Sequence, residues 1–173
     1  MTLRDAQERL NIEVDLIPVG ASNRPGTFLQ PSFLTIHNTA NVDADARAHG
    51  RYVKSEEARR RKVSWHYSVD SVRVVKHLPL SEMGWHAGKG NSLSIGIEVC
   101  EFSDREKQQQ ANERAALLVA LLMRILKIQP VRVVTHKKWT DGKKHCPRQL
   151  LSQPGGFAAF RARCVELWRQ IEE

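Results

Sequence analysis

The chain has 173 residues, of which 41% are hydrophobic and 27% are charged, so it is long and apolar enough to form one domain with its own core. The 27 lysines and arginines outnumber the 19 aspartates and glutamates, and the resulting net charge of +8 favours polyanionic partners. No apolar run reaches the ~18 residues that a membrane-spanning helix needs, and three cysteines without framework spacing argue against a disulfide scaffold.

The N-terminal residues 1–30 are predicted to form an arm or lead-in that begins with a short polar helix. Their first segment, MTLRDAQERL, has no apolar signal core. We therefore expect synthesis in the cytoplasm and release by a route other than Sec, such as a holin-type pore. The first core strand is predicted at FLTIHNTA, residues 33–40, and the catalytic domain is placed at residues 31–173.

The middle of the chain alternates between helix and strand patterns. Residues 43–62 predict one helix with a basic end, which a solvated face with cations near the helix C-terminus explains better than a binding patch does. Residues 63–71 and 72–80 predict paired strands around a short turn, and residues 92–102 predict a further strand. The glycine-rich loop between them, residues 81–91, has no phosphate-binding pattern.

The C-terminal part predicts two helices and a strand. Residues 107–128 predict a largely buried helix, because only Arg124 is not apolar between Ala115 and Leu126. VRVVTH predicts a strand that ends on His136, and apolar residues at helical spacing after Phe157 predict a last helix on the sheet. The order of elements predicts an α/β fold, a single domain with a central mixed β-sheet flanked by helices.

Three residues predict a metal site at one edge of this sheet. His37 and His136 each end an apolar strand run, and Cys146 lies in a polar loop ten residues after His136. Imidazole nitrogen and thiolate sulfur are good zinc ligands, and three protein ligands leave a fourth position for water, as in catalytic zinc sites. Core packing explains each residue alone equally well, so spacing leaves both interpretations open.

The remaining histidines and cysteines are assigned structural roles. His66 is expected to be packed or hydrogen-bonded within its strand. Cys100 and Cys164 are expected to act as small apolar side chains in the core. Surface positions are predicted for three histidines: His49, His77 and His145.

A glutamate and a lysine are candidates for catalysis. In SIGIEVC, the two-residue period places Gly96, Glu98 and Cys100 on one strand face. Glu98 is either satisfied by a buried arginine or backbone donor, or it faces a cleft and transfers protons, with Gly96 leaving room for a substrate. Lys144 either is solvated or, if Cys146 binds metal, lies where it stabilises an oxyanion.

Four segments carry a family resemblance. TIHNTA, WHYSVD, GWHAGKGNSLSIGIEVCE and THKKWTDGKKHCP keep the order of the zinc-dependent N-acetylmuramoyl-L-alanine amidases of the amidase-2 type, which they resemble from about residue 33 to 150. These enzymes are related to peptidoglycan-recognition proteins. The resemblance implies hydrolysis of the peptidoglycan amide bond that joins N-acetylmuramic acid to L-alanine of the stem peptide.

The resemblance also implies residue roles. His37, His136 and Cys146 match the ligands of one catalytic Zn²⁺. Glu98 matches a general base, and Lys144 matches a lysine that stabilises the transition state. Three residues match the segment that lines the substrate groove: Trp85, His86 and Asn91.

Trp65 departs from part of the family, because some relatives carry a catalytic tyrosine at that position. This difference places proton transfer on Glu98. The resemblance favours a phage or prophage endolysin or a bacterial autolysin that acts on the cell wall, and we expect it to be a monomer.

Three other functions stay open. A peptidoglycan-binding module with the same fold would not hydrolyse its ligand. A cysteine-dependent peptidase would use Cys146 or Cys100 as nucleophile. Charge alone would suit a nucleic-acid-binding domain, but no nucleic-acid motif accompanies it, and anionic wall polymers fit the charge equally well.

Overall fold

The computed structural model describes residues 1–172 and gives six strands and seven α-helices there. The strands are β1 (Ile12–Val14), β2 (Phe33–Val42), β3 (Tyr67–Val69), β4 (Val74–Lys76), β5 (Ser94–Glu101) and β6 (Val133–Thr135). The helices are α1 (Leu3–Leu10), α2 (Ala46–Val53), α3 (Glu56–Arg61), α4 (Arg105–Leu126), α5 (His136–Trp139), α6 (Arg148–Ser152) and α7 (Gly156–Gln170).

The strands form one mixed sheet in the order β1-β4-β3-β5-β2-β6. Only the β3–β4 pair is antiparallel, as expected for a hairpin, and every other neighbouring pair is parallel. The single domain with a central mixed sheet and flanking helices is therefore confirmed.

The alternation of side chains in β5 separates the two faces of the sheet. Ile95, Ile97 and Val99 lie in the main core together with buried residues of α1, α4 and α7. Cys100, on the other face, packs against Ala46 of α2. Because successive side chains of a strand point to opposite faces, Glu98 shares the face of Cys100 and lies on the side of α2.

The long helix α4 confirms the prediction of a buried helix. Asp104 caps its N-terminus, since one carboxylate oxygen of Asp104 accepts a hydrogen bond from the backbone N–H of Lys107 at 2.8 Å. All residues from Ala115 to Met123 are buried. This helix covers the sheet face opposite to Glu98.

Strand β2 extends beyond its apolar run. The strand predicted at residues 33–40 continues to Val42, so His37 ends the apolar run but not the strand. Its regular pairing with β5 nevertheless stops at Asn38, and the register shifts before Val42 pairs with Glu101. His37 therefore lies in the last regularly paired part of the strand, next to an irregularity that loosens the sheet.

The single helix predicted for residues 43–62 is wrong. Two helices occupy this segment, because α2 ends at Val53 and Ser55 caps a new helix by accepting a hydrogen bond from the backbone N–H of Ala58 at 3.2 Å. A serine followed by two glutamates is a helix-start signal that outweighs the continuous helical pattern.

The surface positions predicted for His49 and His77 are also wrong, whereas His145 is exposed as predicted. His49 lies on the buried side of α2, and desolvation lowers its pKa. His77 is buried because its ring bonds inside the sheet, with Nε2 3.0 Å from Ser68 Oγ and Nδ1 3.3 Å from the carbonyl oxygen of Asp15.

The N-terminal residues contribute to the same core. Ala6 and Leu10 of α1 are fully buried, and β1 pairs with β4 at one edge of the sheet. The domain boundary at residue 30 stays a prediction. Within residues 1–172, no helix combines the length and the apolar character needed to cross a membrane.

Candidate active site

The register of three parallel strands brings the predicted metal ligands together. His37 of β2 pairs directly with Glu98 of β5, and Ile36 pairs with Thr135 at the end of β6, on the other side of β2. His136 follows Thr135 at once and begins α5. Since the three strands run parallel and these positions lie at the same height, both imidazoles and the Glu98 carboxylate reach one place.

Cys146 completes the cluster from the loop after α5. One possible ligand atom from each of His37, His136 and Cys146 lies within 4.8 Å of the other two. Cys146 Sγ is 3.8 Å from His37 Nδ1, and the two imidazole centroids are 4.6 Å apart. The convergence predicted from the sequence is therefore present.

Hydrogen bonds hold the cysteine loop against the strands. The N–H of Lys137 donates to the carbonyl oxygen of Cys146 at 3.0 Å. Asn38, next to His37, accepts hydrogen bonds from the N–H groups of Gln149 and Leu150 through its side-chain oxygen, at 3.0 and 3.3 Å. The Asn38 side chain thus ties the helix that follows Cys146 to the strand that carries His37.

The electrostatics of the cluster suit neutral imidazoles. Burial lowers the pKa of His37 well below its usual value and lowers that of His136 to about 4, and the nearby Lys144 charge acts in the same direction. A neutral imidazole keeps a lone pair for a metal. Both histidines are therefore neutral before any cation binds, and each can offer a nitrogen lone pair to a metal.

The sulfur of Cys146 is affected by burial more than by the nearby lysine charge. Burial raises the pKa of Cys146 to about 12, and the opposing effect of Lys144 is smaller. In the protein without a cation, desolvation outweighs the charge of the solvent-exposed lysine and favours the thiol. A bound cation deprotonates such a thiol outright, so the sulfur suits a ligand better than a free nucleophile.

The carboxylate of Glu98 lies next to the three candidate ligands. Its side chain is 15% exposed, Oε1 lies 3.8 Å from His37 Nδ1, and the buried Oε2 has no hydrogen-bond partner among the described residues. Burial first, then the charge of Glu101, raises the pKa of Glu98 to about 8. Two neutral imidazoles and one sulfur form a donor set that fits Zn²⁺ with an open position, and the unsatisfied carboxylate of Glu98 lies beside it.

An open cleft of about 580 Å³ surrounds these residues. Lys144 and Glu98 line it together with the three candidate ligands. Other parts of its wall come from α2, α3 and the segment before β3: His49, Tyr52, Arg61, Val63 and Trp65. Both predicted catalytic residues and the predicted metal ligands therefore face one accessible space.

The comparisons with known proteins agree with this geometry. The family model described as N-acetylmuramoyl-L-alanine amidase matches residues 27–149. The chain belongs to this family. XlyA of Bacillus subtilis, an N-acetylmuramoyl-L-alanine amidase, is 46% identical over 156 residues, which are 87% of this chain and 50% of XlyA. CwlH of the same organism, also so named, is 43% identical over 155 residues, covering 86% of this chain and 60% of CwlH.

Solved structures of amidase-family proteins share the fold. The catalytic domain of XlyA has a TM-score of 0.80 at 45% identity, with 89% of this chain and 99% of that domain covered. PlyL has a TM-score of 0.78 at 27% identity, covering 90% of this chain and 96% of PlyL. The chain thus spans half to three-fifths of the two full-length relatives, but nearly all of a catalytic domain.

Of the three residues predicted to line the substrate groove, two line the cleft and one does not. Trp85 and His86 line the cleft, whereas Asn91 is not part of its wall. The side-chain oxygen of Asn91 accepts hydrogen bonds from the N–H groups of His86 and Ala87, at 2.9 and 2.7 Å. Substrate contact by these three residues stays a prediction, and the visible role of Asn91 is to shape the loop.

The space above Gly96 holds a side chain. A Cβ atom at Gly96 would lie 2.6 Å from Cγ of His86, so the imidazole of His86 packs onto the bare backbone of β5. The expectation that Gly96 leaves room for a substrate is wrong. A glycine on the face of Glu98 was the sequence signal for a close approach, but the sequence did not indicate which group approaches.

Several contacts at the site carry no signal in the sequence. His66 is buried and hydrogen-bonded, as predicted, but its partners are the N–H of Gly96 and the carbonyl oxygen of Glu82. The indole N–H of Trp65 donates to Ser68 Oγ at 2.8 Å, so the polar atom of this cleft-lining side chain is bonded to the sheet. Such pairings depend on tertiary structure and cannot be read from spacing.

Proposed function

We propose that this chain is the catalytic domain of a zinc-dependent N-acetylmuramoyl-L-alanine amidase. It would cleave the amide bond between N-acetylmuramic acid and L-alanine of the peptidoglycan stem peptide. The observation that carries the proposal is the convergence of His37, His136 and Cys146 beside the unpartnered carboxylate oxygen of Glu98. Family membership and the names of relatives that share 43–46% identity support the choice of bond.

His37, His136 and Cys146 would hold one Zn²⁺. When bound, zinc supplies a Lewis acid that polarises the amide carbonyl and lowers the pKa of water. The two imidazoles reach the site from β2 and from the end of β6, and the sulfur reaches it from a loop tied to β2, so the chain presents these ligands on a rigid frame.

Glu98 acts as the general base and then as the general acid. Its carboxylate lies beside the ligand cluster, with one oxygen that has no partner among residues 1–172, and accepts a proton from the attacking water. It returns this proton to the departing amine nitrogen, so that the amine leaves as a neutral group. Burial raises the pKa of Glu98 to about 8 in the protein alone, and a cation held by the neighbouring ligands would lower it, which favours the carboxylate that accepts the proton.

Lys144 acts on the charge that develops on the carbonyl oxygen. Its charge reaches the centre strongly enough to lower the pKa values of His37, His136 and Glu98. An ammonium group on the wall of the cleft stabilises an oxyanion more than it stabilises the neutral amide. Trp85, on the same wall, offers a flat apolar surface for the glycan or the peptide.

The experiment is hydrolysis of purified muropeptides by the zinc-loaded protein. We expect release of stem peptide with a free L-alanine amine, loss of activity with a strong chelator and recovery with added Zn²⁺. Glu98→Gln should keep the zinc and lower kcat by about 10²- to 10⁴-fold, whereas Glu106→Gln, an exposed carboxyl on α4, should retain the native rate.

Two results would reject the proposal. Binding of muropeptides without any release would identify a peptidoglycan-binding module instead. Inactivation by thiol alkylation together with indifference to chelators would identify a cysteine-dependent peptidase. Elemental analysis of the native protein and of His37→Ala separates the metal site from both alternatives.

We further propose that the chain works on the cell wall as a monomer, as a phage or prophage endolysin or as an autolysin. An endolysin from Bacillus subtilis with 45% identity and a TM-score of 0.80 supports this setting. Anionic wall polymers are proposed as additional partners because of the net charge of +8, and nucleic acid is not proposed. Release by a non-Sec route stays a prediction.

A further inference from the structure

The two nitrogens of His37 face different surroundings. Nδ1 points to the ligand cluster, 3.8 Å from both Cys146 Sγ and Glu98 Oε1. Nε2 points to a second imidazole and lies 3.0 Å from Nδ1 of His86. A neutral imidazole carries hydrogen on one nitrogen only, so a lone pair on Nδ1 requires a hydrogen on Nε2 and an acceptor for it.

His86 is arranged to be that acceptor. Its own Nε2 lies 3.3 Å from the carbonyl oxygen of Ser94. A carbonyl oxygen only accepts, so Nε2 of His86 carries the hydrogen and Nδ1 keeps a lone pair. The two rings and the Ser94 carbonyl then form one directional chain, in which His37 donates to His86 and His86 donates to the backbone of β5.

The position of His86 is fixed from two sides. Its ring occupies the space above Gly96, where any Cβ atom would come within 2.6 Å of the ring. Its backbone N–H donates to Asn91, which holds the loop at that height above the strand. The ring of His86 is therefore supported next to His37 by the bare backbone of Gly96 and, through its loop, by Asn91.

We infer that His86 is a positioning residue, whose Nδ1 accepts the Nε2–H of His37 and thereby holds His37 in the tautomer that offers Nδ1 to the metal. The inference rests on the proposed zinc function and assigns His86 a contact with a metal ligand. Outer hydrogen bonds of this kind orient the ligand ring and increase its basicity. Gly96 and Asn91 influence His37 only indirectly, because they hold His86 in place.

The decisive measurement is the zinc dissociation constant, determined by competition with a chromogenic chelator. We expect His86→Ala to weaken zinc binding about 10- to 100-fold, and His86→Asn to recover most of the loss, because its side-chain oxygen lies near the former Nδ1 position. Gly96→Ala should weaken binding although residue 96 is not a ligand. Lys89→Ala, an exposed change in the same loop, should bind zinc like the native chain.

Long-range ¹H–¹⁵N spectra of the native zinc-loaded protein test the inference without any substitution. They should show hydrogen on Nε2 of both His37 and His86. Hydrogen on Nδ1 of His37, or native zinc affinity in His86→Ala, would overturn the inference while leaving the zinc function in place. A native chain that binds no zinc would instead overturn the proposed function itself.

Discussion

At the scale of single residues, the site separates groups that contact the reaction from groups that support them. Glu98 and Lys144 face the open cleft, whereas the side-chain oxygens of Asn38 and Asn91 are occupied by backbone N–H groups. All four are polar residues in or next to the family motifs, so residue type does not distinguish the roles. The distinction comes from where each side chain points in the folded protein.

Lys144 and Lys143 offer a matched pair at this scale. Both are exposed neighbours in one loop, but only Lys144 lines the cleft. We expect Lys144→Ala to lower kcat by about 10²- to 10³-fold with little change in KM, because an oxyanion exists only in the transition state. Lys143→Ala should stay close to the native rate in the same muropeptide assay. Equal losses in the two variants would show that only the general charge of the loop matters.

At the scale of elements, local sequence patterns predict the sheet and the place of its ligand cluster. The strand runs that lead to His37 and His136 and the apolar run of α4 are sufficient to predict a mixed sheet with helices, whereas spacing leaves the metal site open and the family resemblance favours it. The break at Ser55 and the buried positions of His49 and His77 are not predicted correctly. Buried histidines in particular depend on partners far away in the chain, which a periodic pattern does not identify.

His66 is the clearest case of an element held by a buried polar contact. Nδ1 accepts the N–H of Gly96 in β5 at 3.0 Å, and Nε2 donates to the carbonyl oxygen of Glu82 at 2.8 Å. The ring thus joins the start of β3 to β5 and to the loop after β4. Burial lowers the pKa of His66 from 6.5 to about 4; nearby Lys76 and His77 add to this effect, and Glu82 opposes it.

The free energy of unfolding should therefore depend on pH through His66. Above pH 6.5 the ring is neutral in both the folded and the unfolded chain, and its contribution to the free energy of unfolding is fully present. As the pH falls towards 4, the unfolded chain takes up the proton first, so native stability decreases, by an amount on the order of 3 kcal/mol. Urea denaturation at pH 7 and 4.5 should show a smaller loss in His66→Gln than in the native chain. Identical losses would exclude this role, since the other buried histidines are common to both proteins.

At the scale of the whole molecule, the positive charge is unevenly distributed. Seven lysines and arginines against two glutamates lie between residues 46 and 62, the segment of α2 and α3. Arg61 of this segment lines the cleft, so this basic segment borders the proposed active site. Helix α4, by contrast, covers the opposite face of the sheet. A polyanion attracted to α2 and α3 would be held near the cleft.

This asymmetry predicts how the chain binds walls that carry anionic polymers. The logarithm of affinity should fall linearly with the logarithm of salt concentration, because bound polyanions release counterions. Arg51→Gln with Arg60→Gln should weaken sedimentation with polymer-bearing walls and reduce the salt slope. Arg105→Gln with Lys107→Gln removes the same charge at the start of α4 and should have a smaller effect. Equal effects of the two double variants would mean that net charge alone determines wall binding, whereas unchanged binding to walls stripped of anionic polymer would remove the polymer as a partner.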